Sequence, residues 1–136
     1  MTLYPRLLIR LLDGRAGGTA NVASVPTEVG VFFSALTHDV RITQPCLEKL
    51  LFQHRIEYEE LEHIQNAINR GYIFAGRESK YLEFIYIDTT GPCRHYLLVL
   101  KMTGFGEEIW LQTFHRSDEP TLRSRLRKRR LLRPHL

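Results

Sequence analysis

Three strand-length apolar runs, at 81–88, 95–102 and 108–115, constrain what this chain can fold into more than any other feature. They are divided only by Thr90-Gly91-Pro92 and Gly104-Phe105-Gly106, and such short turn-rich separators predict an antiparallel meander. Tyr72-Ile73-Phe74-Ala75, just ahead of Gly76, adds a fourth strand.

Two helices precede the strands. Thr43 is the N-cap of the first, with Pro45 in the first turn, where a missing N–H costs nothing. Leu47, Leu50, Leu51 and His54 then fall on one helical face, with His54 at its end. The second helix is predicted over 57–69. Tyr58, Leu61, Ile64 and Ile68 form its buried side, and Glu57, Glu59, Glu60 and Glu62 complement the positive end of the helix dipole. Gly71 supplies its stop, free to take the left-handed conformation. The expected fold class is therefore α+β: two N-terminal helices packed on one face of a four-stranded antiparallel sheet, with a basic C-terminal helix. The domain runs over 39–136. Residues 1–38 hold an apolar, arginine-interleaved docking segment at 3–12 and a Gly/Ala/Ser/Thr-rich linker at 15–26.

Positive charge is segregated. Eight lysines and arginines against Asp118 and Glu119 give residues 116–136 a net +6, whereas the whole chain is only +4, which leaves the rest at −2. A basic segment of this kind attracts polyphosphate backbones by counterion release and long-range steering, with Arg116, Arg123 and Arg127 among the expected contacts. The plainer reading is a solvated helix face or an anchor for an acidic protein.

The composition excludes several classes. No apolar run is long enough to span a bilayer, so no membrane association is expected. Cys46 and Cys93 do not form a Cys-x-x-Cys pair, and the six histidines make no His-Glu-x-x-His motif, so neither a metal site nor a cofactor is expected. Cytoplasmic residence fits the cysteine usage.

Strand alternation places Thr113 and His115 on one side of the last strand together with Ile109 and Leu111, and Trp110 and Phe114 on the core side. With Lys101 and His54 they form a cluster suited to metal-free RNA cleavage. RNA carries its own nucleophile, so a protein need only move two protons and neutralise the five-coordinate phosphate. Histidine serves at either proton-transfer step. Lys101, Arg77 or Arg116 would stabilise the phosphorane, Thr113 would donate to a non-bridging oxygen, and tyrosines such as Tyr86 would stack on unpaired bases.

From Asp39 to Pro134 the sequence resembles the phage-associated nucleases of the barnase–EndoU–colicin–RelE-like superfamily. The resemblance is carried by Val40-Arg41-Ile42, Leu47-Glu48-Lys49-Leu50-Leu51-Phe52-Gln53-His54, Gly76-Arg77, Tyr96-Leu97-Leu98-Val99-Leu100-Lys101, Trp110-Leu111-Gln112-Thr113-Phe114 and the basic helix. It implies a metal-independent ribonuclease acting as a toxin or phage effector. His54 matches the family histidine closing the first helix, and Thr113 and Phe114 match its hydroxyl–aromatic pair. Arg55 stands where family members often have proline. The alternative is a non-catalytic phage accessory protein that binds nucleic acid or a protein partner on the same scaffold. A third reading is a toxin masked by an acidic antitoxin or immunity protein.

Overall fold

The computed structural model describes residues 18–136. The docking element expected at 3–12 lies outside them. The four strands of the meander are present as β3 (Tyr72–Ala75), β4 (Tyr81–Asp88), β5 (Arg94–Thr103) and β6 (Glu108–Ser117). They are not the whole sheet. β1 (Thr19–Ser24) and β2 (Asp39–Thr43) extend it on one side and β7 (Leu131–Arg133) on the other, giving seven strands in the order β1-β2-β6-β5-β4-β3-β7. The expected four-stranded antiparallel sheet behind two N-terminal helices is thus corrected to a seven-stranded mixed sheet. β2 pairs with β6 in parallel, Val40 opposite Ile109 and Arg41 opposite Trp110. The three added strands are short and locally unremarkable. Their strand conformation comes from ladder partners distant in sequence, which local propensity does not register.

Among the described residues four α-helices accompany the sheet: α1 (Thr27–Gly30), α2 (Gln44–Glu48), α3 (His63–Arg70) and α4 (Glu119–Lys128). Thr43 caps α2 as its sequence suggests, its hydroxyl accepting from the Cys46 N–H at 3.3 Å. After Glu48 the helix widens into a π-turn over Lys49–Gln53. The second helical segment opens on a 3₁₀ turn, Tyr58–Glu62, before α3 begins. Gly71 ends α3 in an extended conformation, not a left-handed one. Its need for glycine is a close approach: a Cβ there would lie 2.8 Å from the carbonyl oxygens of both Ala67 and Ile85.

The main core lies between the sheet and α2–α3. Ile42, Tyr96, Leu98, Leu100, Ile109 and Phe114 from the strands meet Leu47, Leu50, Leu61, Ile64 and Ile68 from the helical side. The opposite face is not left wholly open, as packing on one face alone would leave it. α4 lies over part of it, with Leu122 closing a small cluster of Phe74, Ile85 and Leu97 and with Arg125 bonded to the buried Glu83.

A bulge in β6 resets the side-chain alternation. Val99 faces Thr113 but Leu100 faces Leu111, which leaves Gln112 as the extra residue. Ile109 and Leu111 therefore enter the core together with Phe114, and Trp110 moves to the other face, half-buried, in place of the core position its spacing suggested. Thr113 and His115, beyond the bulge, share that face with Trp110.

Candidate active site

β2 pairs with β6 only as far as Trp110, so the later half of β6 has no strand on that side. α2 runs along this gap, and the Cys46 thiol donates to the freed Leu111 carbonyl at 3.4 Å. Burial pushes that thiol up in pKa, against a smaller opposing effect of Lys49. The same packing carries the end of the π-turn to His115. The imidazoles of His54 and His115, remote in sequence, lie with ring centroids 5.3 Å apart and planes inclined by 35°. This spacing leaves no room for a phosphate between the ring faces, so any shared phosphate lies across their edges.

Each ring is held by backbone geometry. His115 Nδ1 donates to the Arg116 carbonyl at 2.8 Å, which assigns the proton to Nδ1 and leaves Nε2 for external chemistry. His54 closes the π-turn, its N–H bonded to the Lys49 carbonyl at 2.9 Å. The next residue, Arg55, is left-handed with φ 54°, and the Ile56 N–H returns to the Leu50 carbonyl. Proline cannot adopt that φ, so the proline frequent in the resembled family is sterically excluded from this turn. The half-buried His54 has an Nε2 that is shielded from water and makes no hydrogen bond. Burial, then the charges of His115 and Lys49, hold its pKa below the usual histidine value. Lys49 reaches His54 because the π-turn brings residues five apart over one another.

The remaining sequence candidates scatter. Thr113 faces the same side as His115, two residues back along β6. Lys101 pairs with Trp110, whereas His115 pairs with Leu97, so four β5 residues, roughly 13 Å, separate the two positions. Arg77 is exposed in the β3–β4 turn. Arg123 and Arg127 are exposed on α4. Tyr86 is buried on the core face, its ring packed against His63 at 5.4 Å and His135 at 5.7 Å, which leaves no ring face for a base. Arg116 also points to the core face, where its Nε donates to Glu60 at 2.8 Å.

Glu60 is the residue that pattern reading missed. Among four glutamates it reads as a dipole-complementing surface charge, yet it is only 6% exposed. It accepts from Tyr96 Oη at 2.7 Å, from Arg116 and from the Glu57 N–H at 3.0 Å. Burial raises its pKa, but bonds from Arg116, Tyr96 and Glu57 outweigh that and hold it down at about 2. Tyr96 is pushed up to about 12 by burial and by its bond to Glu60. The sequence signal was there, in the Glu57/Glu60 capping-box spacing. A second unforeseen pair, His63 Nε2 and Asp88 Oδ2 at 3.3 Å, lies beside it, with the His63 ring 4.9 Å from that of Tyr96. Arg94 and Arg116 also line an open cleft of about 550 Å³ at this end of the sheet, together with His95, Ser117 and Asp118.

Among the described residues no cluster of three or more His, Cys, Asp or Glu side chains is arranged to hold a metal ion, and no helix is long and apolar enough to cross a membrane. No protein-family model, curated protein or solved structure matches this chain.

Proposed function

We propose that this protein is an RNA endonuclease that cleaves by 2′-hydroxyl attack, with His54 and His115 as its acid–base pair. The observation that carries the reading is the 5.3 Å approach of two imidazoles from a helix end and a distant strand. His54, kept neutral by its lowered pKa, takes the 2′-hydroxyl proton on Nδ1, its Nε2 being shielded, and the 2′ oxygen forms its bond to phosphorus. His115, entering the step as the imidazolium with Nδ1–H held on the Arg116 carbonyl, gives its second proton, on Nε2, to the departing 5′ oxygen as the P–O5′ bond breaks. The products are a 2′,3′-cyclic phosphate and a 5′-hydroxyl. Thr113 donates to a non-bridging oxygen, and Lys49 supplies positive charge beside His54. Lys101, at the Trp110 end, serves binding and not the scissile phosphate. The reading fits a toxin or a phage or mobile-element effector working in a cytoplasm. The test is RNA cleavage by purified protein in EDTA, with cyclic-phosphate termini identified on the products. Intact RNA with folded wild-type protein rejects the reading.

The pH profile carries a second check. Because the His54 pKa is depressed, the unprotonated base persists below the ordinary histidine value, and the acid limb of kcat/KM lies on the acidic side of that value. Lys49→Ala removes one of the charges that depress it, so the limb moves to higher pH. A limb that stays in place dissociates His54 from the proton transfer.

The exposed cations of α4 and of the residues just after it favour a second reading, a non-catalytic nucleic-acid-binding protein. Arg125 and Arg129 are turned inward to Glu83, while Arg123, Arg127, Lys128 and Arg130 face solvent. In either reading, Arg123→Ala and Arg127→Ala each reduce the slope of log K against log salt by roughly 0.7 on single-stranded RNA. A toxin of this charge pattern is matched by an acidic antitoxin or immunity protein, and co-purification of such a protein tests that pairing.

A further inference from the structure

On the sheet face opposite the main core, the register aligns one side chain from each of five strands into a continuous row. Tyr81 of β4 lies opposite Lys101 of β5, Lys101 opposite Trp110 of β6, Trp110 opposite Arg41 of β2, and Arg41 opposite Asn21 of β1. Aromatic rings and cations alternate along it. The Arg41 guanidinium rests 5.2 Å from the centroid of the Trp110 ring, and Lys80 lies 5.5 Å from that of Tyr81. The contacts of α4 fall on the neighbouring rows, at Phe74, Glu83, Ile85 and Leu97, and not on this one.

A purely structural role explains the row poorly. Lysine commonly protects an exposed strand edge, but β5 is central, with β4 and β6 paired on either side. Lys101 has no ion-pair partner among the described residues, and Tyr81 and Trp110 belong to neither apolar cluster. Arg41 is held at 3.6 Å from Glu108 and donates to Thr19 Oγ1 at 2.9 Å, so its flat cation is fixed over the indole.

We infer that this row is a platform for a single-stranded polynucleotide, with bases stacking on the Arg41–Trp110 pair and on Tyr81 and phosphates neutralised by Lys101. Aromatic rings interleaved with cations along this half-exposed row suit unpaired bases, since every base offers a π-face and every linkage a charge. The inference deepens the nuclease reading: Trp110 lies five residues from His115 along β6, roughly 15 Å, within reach of one short strand. It rests on that reading for its biological meaning but not for its test.

Trp110 is the only tryptophan in the chain, so its fluorescence reports this site directly. Oligothymidylate roughly ten nucleotides long is the probe, because it lacks the 2′-hydroxyl and stays intact whether or not the protein cleaves RNA. The expected result is saturable quenching of the wild-type protein. Trp110→Ala, followed by a labelled probe, weakens binding about 5- to 150-fold, while Trp110→Phe retains most of it. If Trp110→Ala fails to fold by circular dichroism, Tyr81→Leu takes its place, and unchanged affinity in that variant overturns the inference. An abasic strand of equal charge that binds as tightly overturns the stacking. Polyglutamate binding as tightly as the oligonucleotide overturns it in favour of an acidic protein partner. Quenching without RNA cleavage removes the nuclease reading and leaves the platform; cleavage without quenching does the reverse.

Discussion

On the proposed nuclease reading, His54→Ala and His115→Ala are each expected to lower the rate of RNA cleavage about 10²- to 10⁴-fold, the range a positioned proton-transfer group contributes. The double variant is expected to fall little below the worse single variant, because two groups acting in one proton relay do not contribute additively. Both substitutions are structurally mild. His115 contributes one bond to an adjacent carbonyl, and His54 leaves its Nε2 unpaired, so neither removal strands a buried partner. The check is single-turnover cleavage of a defined RNA in EDTA beside thermal melts of each variant. Equal cleavage by both variants and the wild type, with unchanged melting, separates the imidazole pair from catalysis. His54→Ala also removes a group whose unpaired, shielded nitrogen resists protonation. A histidine with lowered pKa costs the fold stability as pH falls below the unfolded value, so this variant is expected to tolerate mild acid better than wild type.

Glu60→Ala has the largest expected effect on stability. It leaves Tyr96 Oη without its acceptor and the Arg116 guanidinium without its anchor, at a cost of about 3 kcal/mol or a Tm lower by roughly 10 °C. Glu60→Gln keeps one acceptor oxygen and loses less. The pH dependence follows from the direction of the shift. The carboxyl is depressed to about 2 from an unfolded value near 4.5, so its contribution is full above 4.5 and is lost as pH falls through the interval to about 2. On the order of 3 kcal/mol is at stake across that window. Urea denaturation at neutral pH and within the window measures it. The wild type is expected to lose stability on acidification that Glu60→Ala does not lose, and parallel losses in both proteins would assign the acid sensitivity to other groups.

His54, His115 and Glu60 differ in how visible they are in the sequence. His54 stands out because it closes an apolar helical stripe, and His115 because it ends an apolar strand. Thr43 and Pro45 announce the start of α2, and the glycine-bearing turns announce the meander from β3 to β6. These are short-range signals, carried by residues within a turn of one another. Glu60 gives the opposite lesson. Within its own segment only the capping-box spacing to Glu57 separates it from Glu59 and Glu62, and the positions of Tyr96 and Arg116, brought over it by the sheet, turn it into a buried anchor. Unbroken alternation assigns Ile109, Trp110 and Leu111 to the wrong faces, because the bulge at Gln112 breaks the ladder. Lys101 would join His115 only in a register that brought the two strand ends together, and the actual register sets it beside Trp110.

Sequence alone determined the segregation of charge, the strand-and-turn rhythm of the central meander, the capping of α2 and the identity of the two imidazoles, because each is a property of neighbouring residues. Tertiary structure decided the rest. The parallel joining of β2 to β6, the bulge that reverses the faces of β6, the π-turn that carries His54 to His115 and the burial of Glu60 all depend on partners far apart along the chain. Such contacts are selected by packing and by the need to pair every buried polar group, and those conditions exist only once the layers have come together.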